Sequence, residues 1–274
     1  MQSHDSIVTE SPGTPDIEIT EAHVYAAIAD VLDPELDEPL VKLGFIDRVQ
    51  VDGPDVTVVF KLPTYWCSPN FAYLMAGDLR ARIGALPGIR TAHVALIDHC
   101  ADDEITTSIN QGKSFAEAFA DDVPEDENLE ELRRIFLRKG FLMRQDKLLR
   151  QMLKVGLDEA TILSLRVKDL IVDERTNQAC VATSHGAVYL EGAGLSTSAY
   201  LRKGSVIGLF QAPGDLLITD DTGQPIIAGG LQEYLRRSRS VRLNIMFNTS
   251  MCKSLFRARY EHVGASASDQ EEDF

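Results

Sequence analysis

Apolar and polar positions change period along the chain, and the changes mark its elements. Val24, Ile28, Val31 and Leu32 recur at helical spacing behind Thr20, a good N-cap, and predict a helix over 21–32. Asp33-Pro34 ends it, because the residue before a proline avoids helical geometry. Glu35, Asp37 and Glu38 follow in a tight acidic turn. Residues 45–51 and 55–61 alternate, and Asp52-Gly53-Pro54-Asp55 between them is turn chemistry, so the pair reads as a β-hairpin. Phe71, Leu74, Met75, Leu79 and Ile83 then share one face of a helix over 69–84, with Ser68 as N-cap and Pro69 at the first helical position. Leu86-Pro87-Gly88 breaks that helix, and Ala92, Val94 and Leu96 alternate in a third strand over 89–97.

The second half is patterned less sharply. Residues 129–154 read as helix interrupted at Gly140, with Leu129, Leu132, Phe136, Leu149, Met152 and Leu153 as its apolar contacts. Residues 181–264 mix short strands and helices punctuated by Gly186, Gly192, Gly194 and Gly204, with helices near 228–237 and 248–260. The whole predicts an α/β (α+β) chain: a small N-terminal α-β-β-α-β domain followed by a mostly helical α+β domain. The boundaries are a disordered leader at 1–18, a first domain at 19–100, an acidic linker at 101–127, a second domain at 128–263 and a disordered acidic tail at 264–274. The length of 274 residues suits two domains.

Topology brings chemistry together. A strand–helix–strand crossover joins parallel strands, so the second and third strands end at one sheet edge, and the antiparallel first strand starts there. Three sequence-distant groups converge at that edge: Asp33 and Glu35, Thr64 and Cys67, and His99 and Cys100. Cys67 stands just before a helix N-terminus, where free backbone N–H groups favour an anion. The plainer reading of Cys67 is a structural cysteine. Cys180 and Cys252 read as core residues, and His99-Cys100 as a strand end or as a ligand pair. The four cysteines form no CxxC pair and no disulfide framework, which suits a reducing cytoplasm.

Charge narrows the partners. A net charge of −15 opposes general affinity for nucleic acid or anionic membrane, and no apolar run is long enough to span a bilayer. Within this acidic chain, Arg133, Arg134, Arg138 and Arg144 belong to a basic stripe that reads either as a solvated face or as a docking surface for an acidic partner protein.

The stretches VLDPELDEPLVKLGFIDRVQV, VTVVFKLPTYWCSP and LPGIRTAHVAL resemble the metal–sulfur (iron–sulfur) cluster assembly domain family, of the domain-of-unknown-function 59 type. Asp33, Pro34 and Glu35 match its Asp-Pro-Glu turn, and Thr64 and Cys67 its Thr-x-x-Cys-Pro loop; Ser68 departs from the pattern by standing between the cysteine and the proline. A second resemblance covers LLRQMLKVGLDEATILSLRVKDLIVDERTNQACV, which is similar to the entry of a tyrosine-recombinase catalytic domain, with Asp158 in place of the recombinase arginine. The combination is similar to accessory proteins of bacterial soluble di-iron monooxygenases.

These resemblances imply a non-enzymatic maturation factor that handles iron or an iron–sulfur cluster transiently through Cys67, helped by Asp33, Glu35, Thr64, His99 and Cys100. Its partner would be an iron-containing client, with a di-iron monooxygenase component as the specific candidate, and homo-oligomers are compatible with the site. A thiolate suits soft iron–sulfur chemistry, and a carrier that releases its cargo needs fewer ligands than a closed cage. The alternatives are a chaperone-like adaptor in which Cys67 is structural, and a DNA-binding protein using Arg236, Arg237, Arg239 and Arg242.

Overall fold

The computed structural model describes residues 18–120 and 129–261. The expected leader at 1–18 and tail at 264–274 therefore fall almost wholly outside the described residues. Thr20 caps α1 (Glu21–Ile28), which ends one turn earlier than expected. The chain then pairs β1 (Leu32–Asp33) with β2 (Glu38–Pro39) around the acidic turn, and a short α2 (Leu40–Leu43) leads into the sheet. The hairpin is β3 (Ile46–Asp52) and β4 (Asp55–Lys61). Next come α3 (Pro69–Gly84) and β5 (Thr91–Ile97), which lies parallel to β4 in the order β3-β4-β5, as the crossover argument requires.

The acidic segment expected as a linker is folded instead. It forms α4 (Asp102–Gln111) and α5 (Phe115–Ala118), and Ile105, Ile109 and Phe115 are buried in the N-terminal core. Asp102, Asp103 and Glu104 occupy the first turn of α4, where carboxylates complement the positive end of the helix dipole. A charge run was here a helix start; the rest of it, 121–128, lies outside the described residues.

The C-terminal unit begins with α6 (Leu129–Lys154), continuous through Gly140. That glycine gives room rather than a break: a Cβ there would stand 2.6 Å from Lys203 Cε and 2.8 Å from Asp37 Oδ1. After it come α7 (Glu159–Ser164), a short 3-10 turn, and an antiparallel sheet of β6 (Leu170–Asp173), β7 (Gln178–Thr183) and β8 (Gly186–Leu190). Asp158, which stands where the recombinase pattern has arginine, caps α7 by accepting from the Thr161 N–H at 2.7 Å. Then follow α8 (Gly194–Val206) and α9 (Leu231–Tyr260). The two helices expected near 228–237 and 248–260 are one helix, because no Gly or Pro interrupts the stretch between them.

Two cores result, and two helices run through both. Leu129 of α6 belongs to the N-terminal core, whereas Phe141, Leu148, Leu149 and Met152 belong to the C-terminal one. In α9 the order reverses, with Leu231 and Leu235 in the C-terminal core and Phe256 in the N-terminal core. The helices are therefore antiparallel struts, α9 being about 45 Å long at 1.5 Å per residue. Buried ionic groups lock the struts. Asp146 of α6 is fully buried, accepts from Ser238 at 3.0 Å and pairs with Arg242 of α9 at 2.7 Å and with Arg150 at 2.8 Å. Asp37, in left-handed backbone at φ 54, reaches from the acidic turn to Arg144 of α6 at 2.6 Å and to Lys203 of α8. Burial pushes the Lys203 amine below its ordinary range, and the charge of Asp37 opposes that push. No helix among the described residues is long and apolar enough to cross a membrane.

Candidate functional site

Parallel β4 and β5 finish in register, Lys61 opposite Ile97, so the segments leaving them emerge side by side. The exit of β5 pins the Cys67 loop with two hydrogen bonds. The Cys100 N–H donates to the Tyr65 carbonyl at 2.9 Å, and His99 Nε2 lies 2.7 Å from the Cys67 carbonyl. The Ala101 N–H donates to His99 Nδ1 at 3.1 Å, which makes Nδ1 the acceptor and leaves the proton on Nε2. His99 is 1% exposed, its ring bridges the Cys67 carbonyl and the Ala101 N–H, and its Nδ1 also lies 4.0 Å from Cys100 Sγ, so it clamps the loop. Cys100 is exposed on the neighbouring position.

Within the loop, the half-buried Cys67 Sγ lies 3.3 Å from Thr64 Oγ1. Ser68 occupies the expected N-cap position of α3, but its hydroxyl makes no capping bond. Tyr65 and Trp66 meet edge to face beside the cysteine, with Trp66 77% exposed.

The acidic turn supplies the carboxylates. Asp33 Oδ1 accepts from the Glu35 and Leu36 N–H groups, each at 2.9 Å. Burial nevertheless pushes the Asp33 carboxyl up to about 6, against the pull of those two bonds. Glu35 is held from the far end of the chain, its Oε1 accepting from Asn248 of α9 at 3.1 Å.

That contact is one of a row. Asn248, Cys252, Phe256 and Tyr260 repeat every four residues, so they share the face of α9 that meets the N-terminal unit. Phe256 packs its ring 5.1 Å from that of Phe45, and the Tyr260 hydroxyl donates to the Leu62 carbonyl at 3.3 Å. Arg259 donates to the Leu62 and Asp98 carbonyls at the ends of the two parallel strands, and Lys253 reaches Glu38. Cys252 lies between these contacts on α9 and packs against the N-terminal core. Burial raises its thiol to about 11, and the charges of Asp33, Cys67 and Glu35 push in the same direction. Burial pushes the Tyr260 hydroxyl up to about 12, against the pull of the Arg259 charge.

The sequence places Cys252 in a core, and the structure agrees: half-buried, it packs against the N-terminal core from α9. What the sequence did not show is that this core belongs to the N-terminal unit; the mixed polar and apolar row at four-residue spacing is the face that meets it. The basic stripe divides. Arg133 makes a two-pronged pair with Asp78 at 2.7 and 2.9 Å, and Arg144 is spent on Asp37, while Arg134 and Arg138 are exposed. Among the described residues, no three His, Cys, Asp or Glu side chains are grouped to hold a metal ion.

No curated protein and no solved structure matches the chain. A family model described as iron–sulfur cluster assembly protein matches residues 21–96, from the start of α1 to the penultimate residue of β5. The N-terminal part of the chain, including the acidic turn and the Cys67 loop, is thus similar to iron–sulfur cluster assembly proteins.

Proposed function

We propose that the chain is a non-enzymatic maturation factor that passes iron or an iron–sulfur cluster to an iron-containing client, with a soluble di-iron monooxygenase as the specific client. The observation that carries this reading is the Cys67 loop. Its thiol is half-buried at a sheet edge, 3.3 Å from Thr64 Oγ1, and it falls in the matched span. A thiol is a soft donor that suits iron and sulfide, and few competing ligands leave the cargo free to move on. Cys67→Ser conserves volume and removes that donor. In cells carrying the variant at wild-type protein level, client iron content and activity should fall to the level of a deletion strain. Full client activity would end the thiol reading.

A second reading, a chaperone-like adaptor, draws on a different feature. Leu243, Phe247, Met251 and Leu255 repeat every four residues along α9 and are 41–67% exposed. Such a stripe favours a protein partner. Under that reading Cys67→Ser is silent and charged substitutions at Phe247 and Met251 abolish client support.

A further inference from the structure

The face of α9 turned away from both cores is built to receive another helix. Leu243, Phe247, Met251 and Leu255 are all exposed there and follow one another at four-residue spacing. They form a single ridge about 18 Å long at 1.5 Å per residue. Beside it runs a row of short, exposed side chains, Ser250, Ser254 and Ala258, which leaves a groove. A ridge of four-residue spacing next to such a groove is the surface on which a second helix interdigitates. Single exposed apolar residues need no explanation, but four in one row do.

Charge says which kind of helix fits. Between Tyr234 and Tyr260 the chain carries seven Lys and Arg side chains and no Asp or Glu, although its net charge is −15. Several of these cations are spent, as Arg242 is on Asp146. Two are available at the ends of the row. Arg239 begins the ridge and has no ion pair among the described residues. Arg257 stands beside the end of the groove and pairs there only with Glu261, at 3.9 Å and largely in water. Eighteen residues separate the two arginines, about five full turns, so both project from the same side of α9.

We infer that this face of α9 docks an acidic amphipathic helix of a partner protein, which lays its apolar row into the groove and sets carboxylates against Arg239 and Arg257. The inference rests on the adaptor reading for the purpose of the stripe and adds what the partner must carry. Other occupants fit less well. Packing the ridge antiparallel on a second copy turns Arg239 of each chain toward Arg257 of the other, and like charges meet. The acidic stretches of this chain are poor in apolar side chains: 264–274 has one large one, Phe274, and 121–128 has only Val123 and Pro124, so neither fills a three-turn row. An anionic bilayer would face the whole acidic chain, whereas a single helix meets the cations within a Debye length of about 8 Å.

The test uses the full chain and a fluorescein-labelled helical peptide of about five turns, with leucines on one face and glutamates on the other, followed by anisotropy. A copy with lysine for every glutamate is the control. The net charge of the chain favours the lysine peptide and the local charge of α9 the glutamate one, so the two accounts predict opposite orders of affinity. The wild type should prefer the glutamate peptide. Phe247→Glu, inside the row, should weaken that binding by about 30-fold. Arg239→Glu and Arg257→Glu should each weaken it by about threefold and flatten its salt dependence. All three side chains are exposed, so far-ultraviolet ellipticity should stay at the wild-type value. Preference for the lysine peptide, binding of neither peptide, or wild-type affinity in folded Phe247→Glu overturns the docking surface. So does a dimer in sedimentation that Phe247→Glu dissolves, which makes a second copy the occupant, or flotation with phosphatidylglycerol vesicles that Phe247→Glu abolishes, which makes it a bilayer. Client support in cells decides the adaptor reading separately: if it survives Phe247→Glu while the peptide is lost, the docking surface stands and the adaptor reading falls.

Discussion

Asp33→Asn should make the protein more stable at neutral pH. Asp33 is 8% exposed, and its Oδ1 already accepts two backbone N–H groups at 2.9 Å. Burial still outweighs those bonds and lifts the carboxyl from 3.8 to about 6. Holding the ionised form at pH 7 against that displacement costs about 3 kcal/mol. The folded value lies above the unfolded one, so between about pH 4 and pH 6 the folded chain binds more protons, and stability falls as pH rises through that window. Asparagine keeps a carbonyl oxygen for both N–H groups and carries no charge, while its amide adds a donor that needs a partner. The net gain expected at pH 7 is about 1–3 kcal/mol after that donor is accommodated. Urea unfolding of wild type and variant at pH 4, 5, 6 and 7 measures it. The difference should be largest at pH 7 and shrink steadily toward pH 4, where the folded carboxyl is protonated and the unfolded one is partly so. A variant less stable than wild type at pH 7, or a difference independent of pH, would refute the reasoning. A carboxylate kept at such a cost is what a site selected for chemistry rather than stability contains.

Asp37→Asn should act in the opposite direction. Asparagine tolerates the left-handed backbone at this position, but Arg144 and Lys203 lose their counter-charge in a buried setting, and a loss of about 3 kcal/mol in urea unfolding is expected. Restoring part of that loss with Lys203→Met in the same chain would confirm that the buried amine is the cause. Thiol labelling gives a separate check. With its thiol raised from 9.0 to about 11, Cys252 should have about 100-fold less thiolate than an ordinary cysteine, so iodoacetamide should modify the exposed Cys100 far sooner in the folded chain. Equal rates in the folded state would mean that Cys252 does not pack against the N-terminal core.

The N-terminal unit was legible because its signals are local. Asp52-Gly53-Pro54-Asp55 fixes a hairpin, alternation fixes its strands, and the crossover rule places the Cys67 and His99 segments at one edge. What α9 does was not legible, since its contacts join residues about two hundred positions apart, such as Asn248 with Glu35. Periodicity also misdirects there: the regular apolar row of Leu243, Phe247, Met251 and Leu255 is exposed, while the row that packs contains asparagine and cysteine. Gly140 and the acidic start of α4 mislead for a related reason. Each residue type has a local meaning, breaker or solvated charge, which close packing by Lys203 and Asp37 or a helix dipole replaces. His99 looked like a ligand because its sequence shows an imidazole next to a thiol; only the two backbone partners of its ring reveal a clamp.

Trp66 gives the chain an unusual optical property. It is the only tryptophan, it stands 77% exposed against Tyr65, and it adjoins Cys67 in the chain. Its indole is already largely in water, so global unfolding changes its surroundings little and emission at long wavelength persists through the transition. Anything that lands on the loop, whether a quenching metal or a protein surface that excludes water, changes its surroundings directly. Intrinsic fluorescence of this protein is therefore a built-in gauge of loop occupancy, and its folding is better followed by ellipticity.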